Sequence, residues 1–255
     1  MGLFIIEFNL INRSPVTVEN GDVIVDKGYS TVTVRDVHAE SSDDAANKAR
    51  PKADAFLNEL CLQHEINLEI GNGWTVMLQD FSTTRHIKKY TIKTTLKGGH
   101  RKRIPRVLKE VKIRTSDAKN YYRKAAISQD TFDKFRNLYL VIENIASKIA
   151  AAKRKDKCGD SQLIELGLRE CFSSNIQLLE DYGHIRELTG KGDTIKLVAA
   201  FLHRGNRCQL NHSKAIEDKK IPFNPEDESE VQSVLPLTKF IAKSLISYEE
   251  IHLAP

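Results

Sequence analysis

The chain has 255 residues, 40% of them hydrophobic and 29% charged, a composition that excludes a disordered or fibrous polymer and suits two domains of roughly 100 to 150 residues each. The net charge of +5 is unevenly spread: residues 1–84 sum to −7, residues 85–124 to +13 and the remainder to −1, so the basic character is one belt. Four cysteines, Cys61, Cys158, Cys171 and Cys208, form no C-x-x-C pair and have no histidines at zinc spacing, so reduced structural thiols are expected, with no metal and no cofactor.

The apolar run that follows Met1-Gly2 has no positive stretch before it, and nothing approaches the roughly eighteen apolar residues of a spanning helix. A cytoplasmic chain that avoids membranes is the expectation. Residues 3–11 are rich in strand formers, and residues 16–19 and 22–25 flank Asn20-Gly21, a dipeptide suited to the positive φ angles of a tight hairpin. Residues 29–37 alternate Val32, Val34 and Val37 with polar neighbours, as a half-buried strand does.

Ser41-Ser42-Asp43-Asp44 then supplies a cap and an acidic first turn for a helix that carries Ala45, Ala49, Ala53, Phe56, Leu57 and Leu60 at helical spacing. Pro51 predicts a kink or a break in it. After Gly71-Asn72-Gly73, residues 74–78 and 90–96 return to strand character. Residues 1–97 therefore read as an α+β N-terminal domain that closes at Gly98-Gly99.

Residues 98–127 read as a basic connector, because like charges repel and Pro105 disfavours a helix before it. The belt has two readings. Its cations, with Tyr90, Tyr121 and Tyr122 among them, suit a phosphate backbone with stacked bases; alternatively Lys88, Lys93 and Lys97 are the solvated face of an edge strand. Arg101, Lys102, Arg103 and Arg106 fit the nucleic-acid reading better than edge protection.

Residues 128–255 carry helical stripes without intervening strands. Phe132, Phe135, Leu138, Ile142, Ile145 and Ile149 trace one long helix; Leu163, Ile164, Leu168, Phe172, Ile176 and Leu179 trace another. A third helix starts at Asp193-Thr194 and buries Ile195, Leu197, Val198, Phe201 and Leu202. A last one, from about residue 228, carries Val231, Val234, Leu235, Phe240 and Leu245, with a bend expected at Pro236. The fold class is thus α+β: a mixed strand and helix domain, then an all-α bundle of four or five helices. Arg136-Asn137 and Glu143-Asn144 on the first long helix either line a groove of that bundle or form a solvated face.

Residues 202–214 are the most polar and donor-rich stretch of the bundle. Gly205 can end the incoming helix, and Asn206 with Gln209 resembles a capping box for a short helix running towards Ile216. That places Arg207 in a first turn, where free backbone N–H groups and Arg204, Asn206, Asn211 and Lys214 suit a bound phosphate. His212 is the titratable group beside it, since imidazole moves protons near neutral pH while guanidinium holds phosphate oxygens in a fork. The plainer reading makes His212 a surface or capping histidine and Arg207 a solvated charge.

Arg207-x-x-x-x-His212, late in a helical bundle, resembles the R-x4-6-H signature of the HEPN superfamily, and the resemblance covers the C-terminal half alone. It implies a metal-independent endoribonuclease, acting as a homodimer on RNA, with Arg207 and His212 as the catalytic pair and a 2′,3′-cyclic phosphate as product. It also implies a toxin or antiviral-defence setting, with an antitoxin or companion defence protein as a further partner. Residues five apart on an ideal helix point roughly 140° from each other, so a second subunit is expected to complete the site. Cys208 follows the arginine where the family commonly has asparagine, which supports a competing reading: a catalytically inactive module that binds RNA, nucleotide or a protein partner.

Overall fold

Short apolar runs separated by turn residues build an antiparallel sheet in the computed structural model, which describes residues 2–78, 116–154, 158–182, 185, 192–203, 220 and 224–253. The chain divides into two units, residues 1–60 with 68–114 and residues 61–67 with 115–255. The first holds β1 (Gly2–Leu10), β2 (Val18–Asn20), β3 (Val23–Val25), β4 (Thr31–Ala39) and β5 (Ile70–Leu78), in the spatial order β2-β3-β4-β1-β5. The strand expected over residues 90–96 lies outside the described residues.

Two details of the sheet correct the simple period-two pattern. Phe4 pairs with Val37 and Ile6 with Val34, so two residues of β4, Arg35 and Asp36, stand opposite Ile5 alone. This bulge keeps Val32, Val34, Val37 and Ala39 buried on one face despite the odd spacing between Val34 and Val37. Asp36 takes the left-handed backbone that the bulge requires, at φ 54°, a conformation aspartate tolerates better than a β-branched residue. In the hairpin, Asn20 pairs with Val23, so the loop is Gly21-Asp22 rather than Asn20-Gly21. Only Gly21 of these two has a positive φ, at 60°, which fits glycine at the first loop position of a type II′ turn.

α1 (Ser42–His64) begins with a reciprocal cap: Ser41 Oγ accepts from the Asp44 amide at 3.2 Å, and the Asp44 carboxylate accepts from the Glu40 amide at 3.1 Å. The break expected at Pro51 does not occur. Pro51 is solvent-facing, and burial of Ala45, Ala49, Ala53, Phe56, Leu57 and Leu60 outweighs the roughly 3 kcal/mol that an interior proline costs. Arg50 lies over the Phe8 ring of β1, 5.6 Å from its centroid.

Among its described residues the second unit has no strand. It holds α2 (Asp117–Ile127), α3 (Thr131–Ala152), α4 (Asp160–Phe172), the single turn α5 (Gln177–Glu180), α6 (Thr194–Leu202) and α7 (Pro225–Tyr248), then a π-helical turn at Glu249–Leu253. α3 packs on α2, α4 and α7, and α4 on α6 and α7. Phe135, Ile142, Ile145, Leu168, Phe172, Val198, Leu202, Val234, Ile241 and Leu245 form the shared core.

α2 occupies the last eleven residues of the stretch expected as a connector. Its Ala118, Tyr122 and Ala125 recur at helical spacing and are buried, and Lys119, 1% exposed, pairs with Glu250 at 2.6 Å. The second expected helix is divided: α4 stops at Phe172, where Ser173-Ser174-Asn175 compete for the backbone and the Ser173 hydroxyl bonds back to the Arg169 carbonyl. α6 starts as expected, its Asp193 carboxylate accepting from the amides of Ile195 and Lys196 at 3.1 and 3.3 Å. α7 opens with Asn224 as N-cap and Pro225 in its first turn, and runs on through Pro236. No helix among the described residues is long and apolar enough to cross a membrane.

Candidate functional site

Arg204, Asn206, Arg207, Asn211, His212 and Lys214 fall in residues 204–219, outside the described residues, as do the expected short helix and Cys208. Arg101, Lys102, Arg103 and Arg106 fall in residues 79–115, also outside them. The chain on either side of the motif is described. His203, the residue after α6, has its Nδ1 2.9 Å from the hydroxyl of buried Tyr139 on α3, whose ring stacks on Phe135. On the far side Lys220 is 3% exposed and pairs with Glu230 of α7 at 2.8 Å. A buried cation requires a partner, and Glu230 supplies it.

The polar residues of α3 separate by role. Asn137 is buried and donates its side-chain amide to the Asp133 carbonyl at 2.8 Å, whereas Arg136 is exposed and pairs with Asp133 at 2.6 Å. Asn144 Oδ1 is buried with no hydrogen-bond partner among the described residues. Tyr122, expected as an exposed stacking platform, is 2% exposed and belongs to the bundle core; Tyr121 is half-buried against that core.

A cavity of about 490 Å³ lies within the second unit, in the size range of small-molecule sites. Ala125 and Ala126 of α2, Leu138 of α3 and Leu235 of α7 supply its apolar wall. Cys61, Glu65 and Asn67 close one side, at and just after the end of α1. The helix stops there because Glu65 adopts a left-handed conformation, φ 55°, with its amide bonded to the Cys61 carbonyl at 3.0 Å. Gln232, Pro236 and Lys239 stand along α7, and Lys134 on α3. Pro236 has no amide hydrogen, so the Gln232 carbonyl four residues earlier lacks its helical donor.

The electrostatics of this cavity are asymmetric. Glu65 bonds to Lys239 at 3.2 Å and lies 3.7 Å from Lys243, and the Lys239 ammonium above all holds the Glu65 carboxyl below the ordinary carboxylate range. Lys134 has no ion-pair partner among the described residues, which leaves the rim net positive. Inside, burial pushes the Cys61 thiol up to about 11 and raises the Tyr122 hydroxyl. Cys61 Sγ lies 3.3 Å from Asn67 Oδ1, while the Tyr122 hydroxyl has no hydrogen-bond partner among the described residues. A thiol held neutral in this way is a poor nucleophile at neutral pH.

Sequence reasoning missed this site because its residues come from four separate segments and share no motif. The legible signal was the Ala118, Tyr122, Ala125 stripe, masked by the Lys119, Arg123 and Lys124 charges interleaved with it. Among the described residues no group of three or more histidine, cysteine or acidic side chains is placed to hold a metal ion. No family model, no curated protein and no solved structure matches the chain.

Proposed function

We propose that the chain is a metal-independent endoribonuclease of HEPN type, with Arg207 and His212 acting as a pair across a homodimer. In this reading a ribose 2′-oxygen attacks the adjacent phosphorus and the bond to the 5′-oxygen breaks, leaving a 2′,3′-cyclic phosphate and a 5′-hydroxyl. The His212 imidazole of one subunit takes the 2′-hydroxyl proton and that of the other returns a proton to the leaving oxygen. Arg207 holds the charge that develops on the phosphate, assisted by Arg204, Asn206, Asn211 and Lys214. Arg101, Lys102, Arg103 and Arg106 hold the RNA backbone. The cellular setting is cytoplasmic defence or toxin activity with a companion protein.

The observation that supports this reading is the Arg207-x-x-x-x-His212 spacing, which falls in the sequence between α6 and α7 of a unit whose described residues are helical. The described residues that flank it are His203, which meets Tyr139, and Lys220, which meets Glu230. Labelled RNA incubated with protein in EDTA tests it. Cleavage that Arg207→Ala and His212→Ala each reduce by about a hundredfold or more is the expected outcome. A second reading, the inactive binding module, is favoured by Cys208 in the place of a polar residue. RNA retention by all three proteins without cleavage would establish it instead.

A further inference from the structure

We propose that the cavity between α2, α3, α7 and the segment around Glu65 binds a small molecule with an apolar body and a single oxyanion head, a carboxylate or a phosphate. None of the described residues that line it is Arg207 or His212. Three observations converge on that ligand. The cavity has the volume of a small-molecule site, about 490 Å³, with an apolar wall of Ala125, Ala126, Leu138 and Leu235. The Tyr122 hydroxyl that lines it is buried without a partner, on a side chain 2% exposed, and such a group needs a hydrogen bond from whatever occupies the space. At the rim, Glu65 is already matched by Lys239 and Lys243, while Lys134 has no carboxylate beside it among the described residues.

The ligand geometry follows from these placements. The apolar body lies against the alanine and leucine wall, a polar atom of the ligand meets Tyr122, and the oxyanion sits between Lys134 and Lys239, near the rim where it stays partly hydrated. Full burial of the head is not required, which matters because desolvating a charge opposes binding. Small side chains at positions 125 and 126 hold the space open.

The probe is anilinonaphthalene sulfonate, an oxyanion on an apolar body, titrated into the full-length protein and read by fluorescence. One saturable site is expected, weakened about tenfold by Lys134→Met and by Ala126→Trp, which fills the cavity, and unchanged by Arg136→Met on the same helix. Probe affinity indifferent to Lys134→Met and Ala126→Trp overturns the proposal; should Ala126→Trp fail to fold, Lys134→Met decides. Tyr122→Phe is expected to leave the melting temperature of the protein alone unchanged or higher while weakening the probe. A lower melting temperature with unaltered probe binding would make that hydroxyl a structural group and remove it from the site. Naphthoate and naphthyl phosphate are expected to displace the probe, their order identifying the head group, and equal displacement by naphthol would refute the oxyanion requirement. Probe binding by His212→Ala should match wild type, so failure of the nuclease reading and failure of this one give different results.

Discussion

Cys61 and Cys171 have thiols pushed up to about 11 by burial, two pH units above their ordinary value of 9.0. The sign of the linkage follows from proton counts. Above about pH 9 the unfolded chain releases these protons while the folded chain keeps them, so the folded state binds more protons and stability falls as pH rises. The stabilisation is complete below the unfolded value and lost as pH passes through the folded one. Urea midpoints should therefore drop between about pH 9 and 11, and the C61A/C171A double variant should show a smaller drop. An equal drop in both proteins would mean that other groups carry the alkaline titration. Single residues also set the backbone: Asp36 and Glu65 adopt left-handed conformations, where non-glycine residues are uncommon, one to shape a bulge and the other to end a helix beside the cavity.

At the level of elements, close approach decides what composition would not. Gly167 in α4 lies so near α3 that a Cβ placed there would come within 2.9 Å of the Ala146 Cβ. Helix propensity alone favours alanine at such a position by about 1 kcal/mol. The clash is with a rigid side chain, so overpacking outweighs propensity, and Gly167→Ala is expected to destabilise by about 1 to 3 kcal/mol in chemical denaturation. A gain in stability would show that α3 and α4 can separate without loss. The same elements show how local chemistry yields to packing: α1 continues through Pro51 and α7 through Pro236, each with a buried face that compensates a missing hydrogen bond, whereas α4 ends at a Ser-Ser-Asn run.

For the whole molecule the charge distribution makes the distinctive prediction. Residues 85–124 carry a net +13, and the described end of that belt is folded into the bundle, with Lys119 buried against Glu250. The cations proposed to hold RNA are Arg101, Lys102, Arg103 and Arg106. If they hold a single-stranded backbone, their combined replacement by alanine should flatten the slope of log affinity against log salt by about 2 to 3, from roughly 0.7 per phosphate contact. Affinity lost with no change in slope would place the RNA contacts elsewhere. If the proposed cleavage takes place, it should respond differently, falling with Arg207→Ala at every salt concentration.

The sequence by itself determined the division into a strand-rich part and a helical part, the starts of α1 and α6, the stripes of α3 and α7 and the unequal distribution of charge. These are local properties: side-chain period, capping residues and net charge act over a few turns of chain, and no distant partner is needed to read them. Tertiary structure decided the rest. The bulge at Asp36 exists because β1 pairs with β4, the burial of Tyr122 and Lys119 because α2 meets α3 and the Glu249–Leu253 turn, and the close seat of Gly167 because α4 crosses α3. The cavity was decided in the same way. Its lining comes from four segments, around Glu65, on α2, on α3 and on α7, and only packing gives them a common boundary.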